Sequence, residues 1–219
     1  MSEIRTSEKA EGRPSSAPRA MILRWMILLV RHGQTFWNRE RRIQGRTESE
    51  LTPLGEHQAA AVASLVAELI AREPNQFRLV SSPIGRARQT AEIIARATGL
   101  PVELDERLAE ICCGEWEGLL HDEVSERHPE HYAREWIYGA PGGETFEDVM
   151  ARVRAWLADQ VTEPERRIIV VGHGVWGRCL RGAYANLARE DVDRQPTHQD
   201  AVFRLRDGQI DRLDCGPVE

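Results

Sequence analysis

Two histidines stand out by where they sit. His32 follows the apolar run Ile27-Leu28-Leu29-Val30 and Arg31, and precedes Gly33; His173 follows Ile168-Ile169-Val170-Val171 and Gly172, and precedes Gly174. A lone histidine is more often structural than reactive. Here each lies where a buried strand meets a glycine, a residue that lets backbone approach closely. Ligands of open α/β sheets bind outside the carboxyl ends of the strands, so two such strands can bring two imidazoles to one pocket rim. The guanidinium of Arg31, next to the first, suits an anion and above all a phosphate. Arg86 falls in the first turn of a helix that Ser82-Pro83 opens. Helix N-termini attract anions rather than cations, so an arginine there makes sense if an anion completes the arrangement; otherwise it is a solvated surface residue. Arg88 lies farther from the helix start. An acid is harder to choose, because Glu110 and Glu117 bracket Cys112-Cys113-Gly114-Glu115-Trp116 and composition does not decide between them.

The elements that position these groups alternate. The four apolar residues before Arg31 read as a strand buried on both faces. A polar loop is expected over 34–51. Thr52-Pro53 then opens a helix with Leu54, His57, Ala61, Leu65 and Leu69 at helical spacing and Pro74 beyond its end. A strand at 77–80, a helix from Ser82-Pro83 through Ala97 with a stop at Gly99, and a short strand at 101–104 follow. Residues 105–145, with Trp116, Trp136, Pro141, Gly142 and Gly143, read as a loop-rich excursion over the pocket mouth. Helices over 144–158 and 175–188 flank the strand before His173, and Asp207-Gly208 splits a terminal hairpin at 202–205 and 209–213. This alternation predicts an α/β fold.

The chain has 219 residues, 41% hydrophobic and 29% charged, with a net charge of −6. That length suits one catalytic domain over 21–219. Residues 1–20 are polar and Pro/Ser-bearing and predict a disordered arm; Met21 and Met26 are alternative starts. The acidic balance argues against nucleic-acid binding, which favours a broad basic surface, without excluding a small cationic pocket. No stretch approaches the ~20 apolar residues of a membrane span, and no signal-peptide n-region precedes the first strand, so no membrane partner and a cytoplasmic location are expected. Cys112, Cys113, Cys179 and Cys215 show no disulfide or zinc spacing and read as buried free thiols. Oligomeric state stays open, a homodimer among the options.

The motifs resemble the signature of the histidine phosphatase superfamily, in its phosphoglycerate mutase-like branch. Arg31-His32-Gly33-Gln34-Thr35 with Trp37-Asn38 resembles the first block; Ile43-Gln44-Gly45 and Leu51-Thr52-x-x-Gly55-x-x-Gln58-Ala59 the next two. Ser81-Ser82-Pro83-x-x-Arg86-Ala87-x-x-Thr90-Ala91 resembles the block with the second arginine. Leu108-x-Glu110-x-x-x-Gly114-x-Trp116-Glu117-Gly118 is similar to the acid/base block, and Gly142-Gly143-Glu144-Thr145 and Gly172-His173-Gly174 complete the order. The resemblance implies a three-layer α/β/α sandwich with a mostly parallel sheet. It implies that His32 is the nucleophile and forms a phosphohistidine, that Arg31, Arg86 and His173 grip the phosphoryl oxygens with Asn38 assisting, and that Glu110 is proton donor and then base. Gln44, Gly45 and Gly174 would complete the phosphate and substrate contacts. Cys112-Cys113 stands where the family often has an acidic-aromatic pair.

Physical chemistry agrees with those roles. Phosphoryl transfer needs positioning and charge neutralisation, which two guanidinium forks supply. A neutral imidazole splits hydrolysis into two easier displacements. The departing alkoxide needs a proton, hence a carboxyl group that still holds one near neutrality. This scheme calls for no metal and no cofactor. The leading expectation is a phosphomonoesterase acting on a small phosphorylated metabolite. The span from Trp116 to Pro141-Gly142-Gly143 is short for a mutase, and Val175-Trp176 follows Gly174 where mutases usually carry small polar residues. A cofactor-dependent mutase is the alternative, and a non-catalytic phospho-ligand binder the third. Arg39, Arg41, Arg42 and Arg46 read either as a solvated loop or as contacts to a second acidic group; Trp116 and Trp136 read either as leaving-group pocket or as core.

Overall fold

The computed structural model describes residues 25–73, 76–129, 136–160, 162 and 167–216. The expected arm at 1–20 and Pro74 lie outside the described residues, as does the side chain of Trp136. Six strands form one sheet in the order β3-β2-β4-β1-β5-β6: β1 (Met26–Arg31), β2 (Phe77–Ser81), β3 (Val102–Leu104), β4 (Arg167–Gly172), β5 (Ala201–Arg206) and β6 (Gln209–Asp214). The first four run parallel, and β5 and β6 pair antiparallel. The terminal hairpin turns on Asp207 and Gly208, at φ of 52° and 77°, the left-handed pair that a two-residue turn requires.

Successive side chains of a strand face opposite ways, and both faces of this sheet are apolar. Met26, Leu28, Val30, Ile169 and Val171 pack with Val62, Val66, Ala91 and Ile94, which lie on α2 (Pro53–Ala71) and α3 (Gly85–Thr98). Ile27, Leu29, Ile168 and Val170 pack with Val149, Val153, Trp156, Trp176 and Leu180 of α5 (Phe146–Gln160) and α6 (Gly174–Ala185). The unbroken apolar runs of β1 and β4 are therefore the signature of a middle layer covered on both sides.

Three segments differ from the sequence reading. The loop at 34–51 contains a one-turn helix, α1 (Phe36–Glu40), because Thr35 and Asn38 form a reciprocal capping box. The helix expected from Ser82-Pro83 starts at Gly85 with no side-chain cap, because the Ser82 hydroxyl is used elsewhere. The helix expected to reach residue 188 stops at Ala185, where Asn186 turns left-handed, and a further helix, α7 (Arg189–Arg194), follows. Among its described residues, the excursion at 105–145 carries the regular helix α4 (His121–Arg127). Cys113 and Cys179 are buried, whereas Cys112 and Cys215 are half-buried; all four are free thiols.

Candidate active site

In-register parallel pairing sets Arg31 opposite Gly172, so His32 and His173 are the next residues along two adjacent strands. The His32 N–H donates to the Gly172 carbonyl at 3.1 Å and continues the ladder by one rung. The two imidazole centroids lie 5.2 Å apart at 61°, close to the spacing of neighbouring strands. Close backbone crossing behind His32 requires glycine: a Cβ on Gly33 would stand 2.1 Å from the Gly55 carbonyl oxygen.

The rings differ in what they touch. His32 Nδ1 lies 2.8 Å from the Gly33 carbonyl oxygen. A carbonyl only accepts, so Nδ1 carries the hydrogen and Nε2 the lone pair; accordingly, Arg86 Nε–H donates to Nε2 at 3.2 Å. His173 Nε2 lies 2.7 Å from the Ser82 hydroxyl, which already accepts from the Ile84 N–H. A hydroxyl has a second lone pair as well as its proton, so this contact accommodates either tautomer of His173, whose Nδ1 is buried without a partner. Burial, then the Arg86 charge, hold both imidazoles well below the usual histidine value of 6.5, with Arg31 adding to the effect. Both rings are neutral at pH 7.

Arg86, 1% exposed, is fixed by backbone: Nη1 donates to the Thr47 carbonyl at 2.8 Å and Nη2 to the Gly45 carbonyl at 2.7 Å. Three of its five N–H groups are thus engaged and two remain. The loop that supplies these carbonyls is shaped by Glu117. Its carboxylate accepts from the N–H groups of Arg46, Thr47 and Cys113, and a Cβ on Gly45 (φ +52°) would overlap it. Arg31 donates through Nη1 to the Thr197 carbonyl at 3.1 Å and leaves Nε buried and unpartnered. Burial, with Arg178 and Arg86 nearby, lowers it to about 10 against the pull of Glu110, so it stays cationic at neutral pH. Burial lowers Arg86 as well.

Glu110, 9% exposed, sits at the N-terminus of α6. Its Oε1 accepts from the N–H groups of Trp176 (2.9 Å) and Ile111 (3.1 Å), and Oε2 from that of Val175 (3.1 Å), a helix-start carboxylate arrangement. Its own carbonyl is held by Arg46 Nε and Arg152 Nη2. Arg152 in turn forks onto Glu144, and Arg46 also pairs with Glu144 at 3.1 Å. Although burial works to raise the Glu144 carboxyl, Arg152 and the Cys112 N–H bring it below its ordinary value. Cys112 and Glu144 exchange two bonds, Cys112 N–H to Glu144 Oε2 (2.8 Å) and Glu144 N–H to the Cys112 carbonyl (2.9 Å). They close the neck of the excursion.

These groups surround a cavity of about 220 Å³ lined by Arg31, His32, Asn38, Gln44, Gly45, Arg86, Glu110 and Gly174, with Arg42, His121, Ile137, Val175, Arg178 and Thr197 around them. Every site residue singled out in the sequence lines it except His173, which lines a smaller neighbouring cavity together with Arg31 and Gly174. Asn38 Oδ1 accepts from Thr35 N–H and Gln199 Nε2, and Gln44 Oε1 accepts from Thr35 Oγ1. Of the four loop arginines, only Arg42 lines the cavity. Arg46 braces Glu110, Arg41 pairs with Asp122, and Arg39 covers the Phe36 ring. Trp116 is core, 1% exposed. Trp176 turns into the core against Trp156, leaving Val175 as the lining residue. Ser82, Arg152, Arg178 and Gln199 were not singled out. Arg178 had a readable signal, since it lies four residues after Gly174 on the same helix face.

Residues 27–209 match the model of the histidine phosphatase superfamily (branch 1). A probable phosphoglycerate mutase GpmB from Salmonella paratyphi C is 37% identical over 194 residues, 86% of this chain and 84% of that protein. Among solved structures, the mycobacterial glucosyl-3-phosphoglycerate phosphatase Rv2419c in complex with VO3 aligns with a TM-score of 0.70 at 34% identity, covering 82% of this chain and 91% of that one. YhfR of Bacillus stearothermophilus aligns with a TM-score of 0.72 at 30% identity, over 89% and 98%. The chain belongs to the histidine phosphatase superfamily.

Proposed function

We propose that this histidine phosphatase superfamily member is a metal-independent phosphomonoesterase that hydrolyses a small phosphorylated metabolite through a phosphohistidine on His32. The observation that carries the reading is the tautomer: the Gly33 carbonyl holds the hydrogen on Nδ1 and leaves the Nε2 lone pair at the cavity. On substrate entry, the phosphoryl group takes the place of that lone pair as partner of Arg86. His32 Nε2 attacks phosphorus, the ester P–O bond breaks, and Glu110 gives its proton to the departing oxygen. Arg31, the two spare N–H groups of Arg86 and His173 Nδ1–H hold the equatorial oxygens. Glu110 then takes a proton from water, which attacks the phosphohistidine and releases phosphate.

A solved relative named as a phosphatase at 34% identity supports water as the acceptor. The curated relative at 37% identity, named as a probable phosphoglycerate mutase, favours a second reading in which the phosphoryl group returns to a phosphoglycerate. One assay separates them. Purified protein is given p-nitrophenyl phosphate and 3-phosphoglycerate, with EDTA throughout, with and without 2,3-bisphosphoglycerate. Hydrolysis in EDTA without the bisphosphate, together with an acid-labile phosphate on His32, is the expected result; bisphosphate-dependent isomerisation would establish the mutase. Tight phosphate binding with no turnover would leave a binder. Glu110→Gln should slow alkyl phosphates more than p-nitrophenyl phosphate, by roughly 10²–10⁴-fold against a smaller loss; equal losses would remove Glu110 as the acid.

A further inference from the structure

A side-chain amide has two unlike ends, an oxygen that only accepts and an NH2 that only donates, and an anion is held by the second. Asn38 lines the cavity beside Arg31, His32 and Arg86, and its neighbours settle which end is which. The Thr35 backbone N–H can only donate, and it meets the Asn38 side chain at 3.2 Å, so the atom there is Oδ1. The Gln199 side chain reaches that same Oδ1 at 3.1 Å and the His32 carbonyl at 3.2 Å. A carbonyl only accepts, so Gln199 offers its NH2, and the two hydrogens of one Nε2 serve the two oxygens. Asn38 Oδ1 thus has two donors, while among the described residues Nδ2 makes no hydrogen bond and is left for the cavity. Antiparallel pairing sets Val30 opposite Val202, so the chain just before β5 runs alongside His32. That same stretch gives its Thr197 carbonyl to Arg31 and its Pro196 carbonyl to Arg181.

We propose that Gln199 is a positioning residue: its NH2, shared between the His32 carbonyl and Asn38 Oδ1, holds the Asn38 amide with Nδ2 toward the phosphoryl group and fixes that donor relative to the nucleophile. The terminal torsion of asparagine is broad. One donor leaves the amide free to swing about a single bond, whereas two from different directions pin its plane. Two donors on one oxygen also polarise the amide and strengthen the bonds that its NH2 makes. The proposal rests on the phosphomonoesterase reading for what the cavity takes, but its main test needs no turnover. Inorganic phosphate is the probe, its Kd taken by calorimetry on the wild type, Gln199→Met, Asn38→Ala and the double variant. Gln199→Met fills similar space without a donor and should weaken phosphate binding roughly 10-fold, the worth of one well-placed hydrogen bond. In the Asn38→Ala background the same change should cost less than about 3-fold, the share that runs through the His32 carbonyl. The Asn38 side-chain ¹⁵N–H resonances, identified by their loss in Asn38→Ala, should shift with phosphate in the wild type and far less in Gln199→Met. On p-nitrophenyl phosphate the loss should lie in KM more than in kcat, because Asn38 grips the phosphoryl group both before and during transfer.

Equal losses with and without Asn38 would overturn the proposal and leave Gln199 a prop between β1 and β5. A full phosphate response of the Asn38 amide in Gln199→Met would overturn it as well. Should Gln199→Met not fold, Gln199→Asn, which keeps the NH2 but draws it back by one methylene, takes its place in the same cycle with the same expected losses. If no ester is hydrolysed, the phosphomonoesterase reading falls, and the phosphate Kd values still decide the role of Gln199.

Discussion

The two strand ends are near-copies in sequence, an apolar run, then histidine beside glycine, and the fold makes opposite tools of them. At β1 the partner of the ring is a carbonyl, which cannot donate, so the free nitrogen is a lone pair. At β4 the partner is a hydroxyl, which can donate as well as accept, and the free nitrogen is an N–H when that hydroxyl gives its proton to the ring. Under the proposed function, the first imidazole attacks phosphorus and its neighbour holds an oxygen. The lesson is that the atom behind the ring assigns the role, a point that residue type and spacing do not carry.

Substitutions at the two ends should therefore be unequal, which makes the comparison breakable. The largest effect is expected at β1: His32→Ala should lower kcat by at least roughly 10⁴-fold, because the bond-forming atom is gone, with circular dichroism unchanged. At β4, His173→Ala should cost about 10²–10³-fold, the usual toll of one transition-state donor, while phosphate still traps on His32. Trapping on residue 173 instead would reverse the assignment. Ser82→Ala removes only the hydroxyl at His173 Nε2 and should cost about 10-fold; an unchanged ¹⁵N pattern for the His173 ring would show that the hydroxyl does not choose its tautomer. The smallest effect is shared. Both imidazoles are neutral in the fold with depressed values, so the unfolded chain binds more protons in acid. Their contribution to stability is full above pH 6.5 and is lost as pH falls from 6.5 toward the folded values. Thermal melts across that window should show Tm falling with acid in wild type, and falling less in the His32→Ala, His173→Ala double variant.

Much of this was legible beforehand, and the gaps have common causes. Strands β1 and β4 announce themselves because a layer covered on both faces must be apolar at every position. Glycines at 33 and 45 mark places where backbone or a carboxylate leaves no room for a Cβ. What stayed hidden depends on backbone atoms, which every residue shares. The carbonyls of Gly45 and Thr47 fix Arg86, and the amides of Val175 and Trp176 fix Glu110, yet neither set has a side-chain signature. Ser82 misled because serine before proline is the ordinary start of a helix, whereas its hydroxyl faces His173. Gln199, which bonds the His32 carbonyl and Asn38, lies in irregular chain where no periodicity points to it.

The paired bonds between Cys112 and Glu144 have an evolutionary corollary. They tie the two feet of the excursion together on the acid's side, with Arg152 as the peg. Residues farther out than Glu117, which still holds the Arg46–Thr47 loop, including His121 and Ile137 at the cavity, can be exchanged without dragging Glu110 out of place. The arrangement separates what a lineage must keep from what it is free to retool, so new substrates can be sampled while the old chemistry runs on.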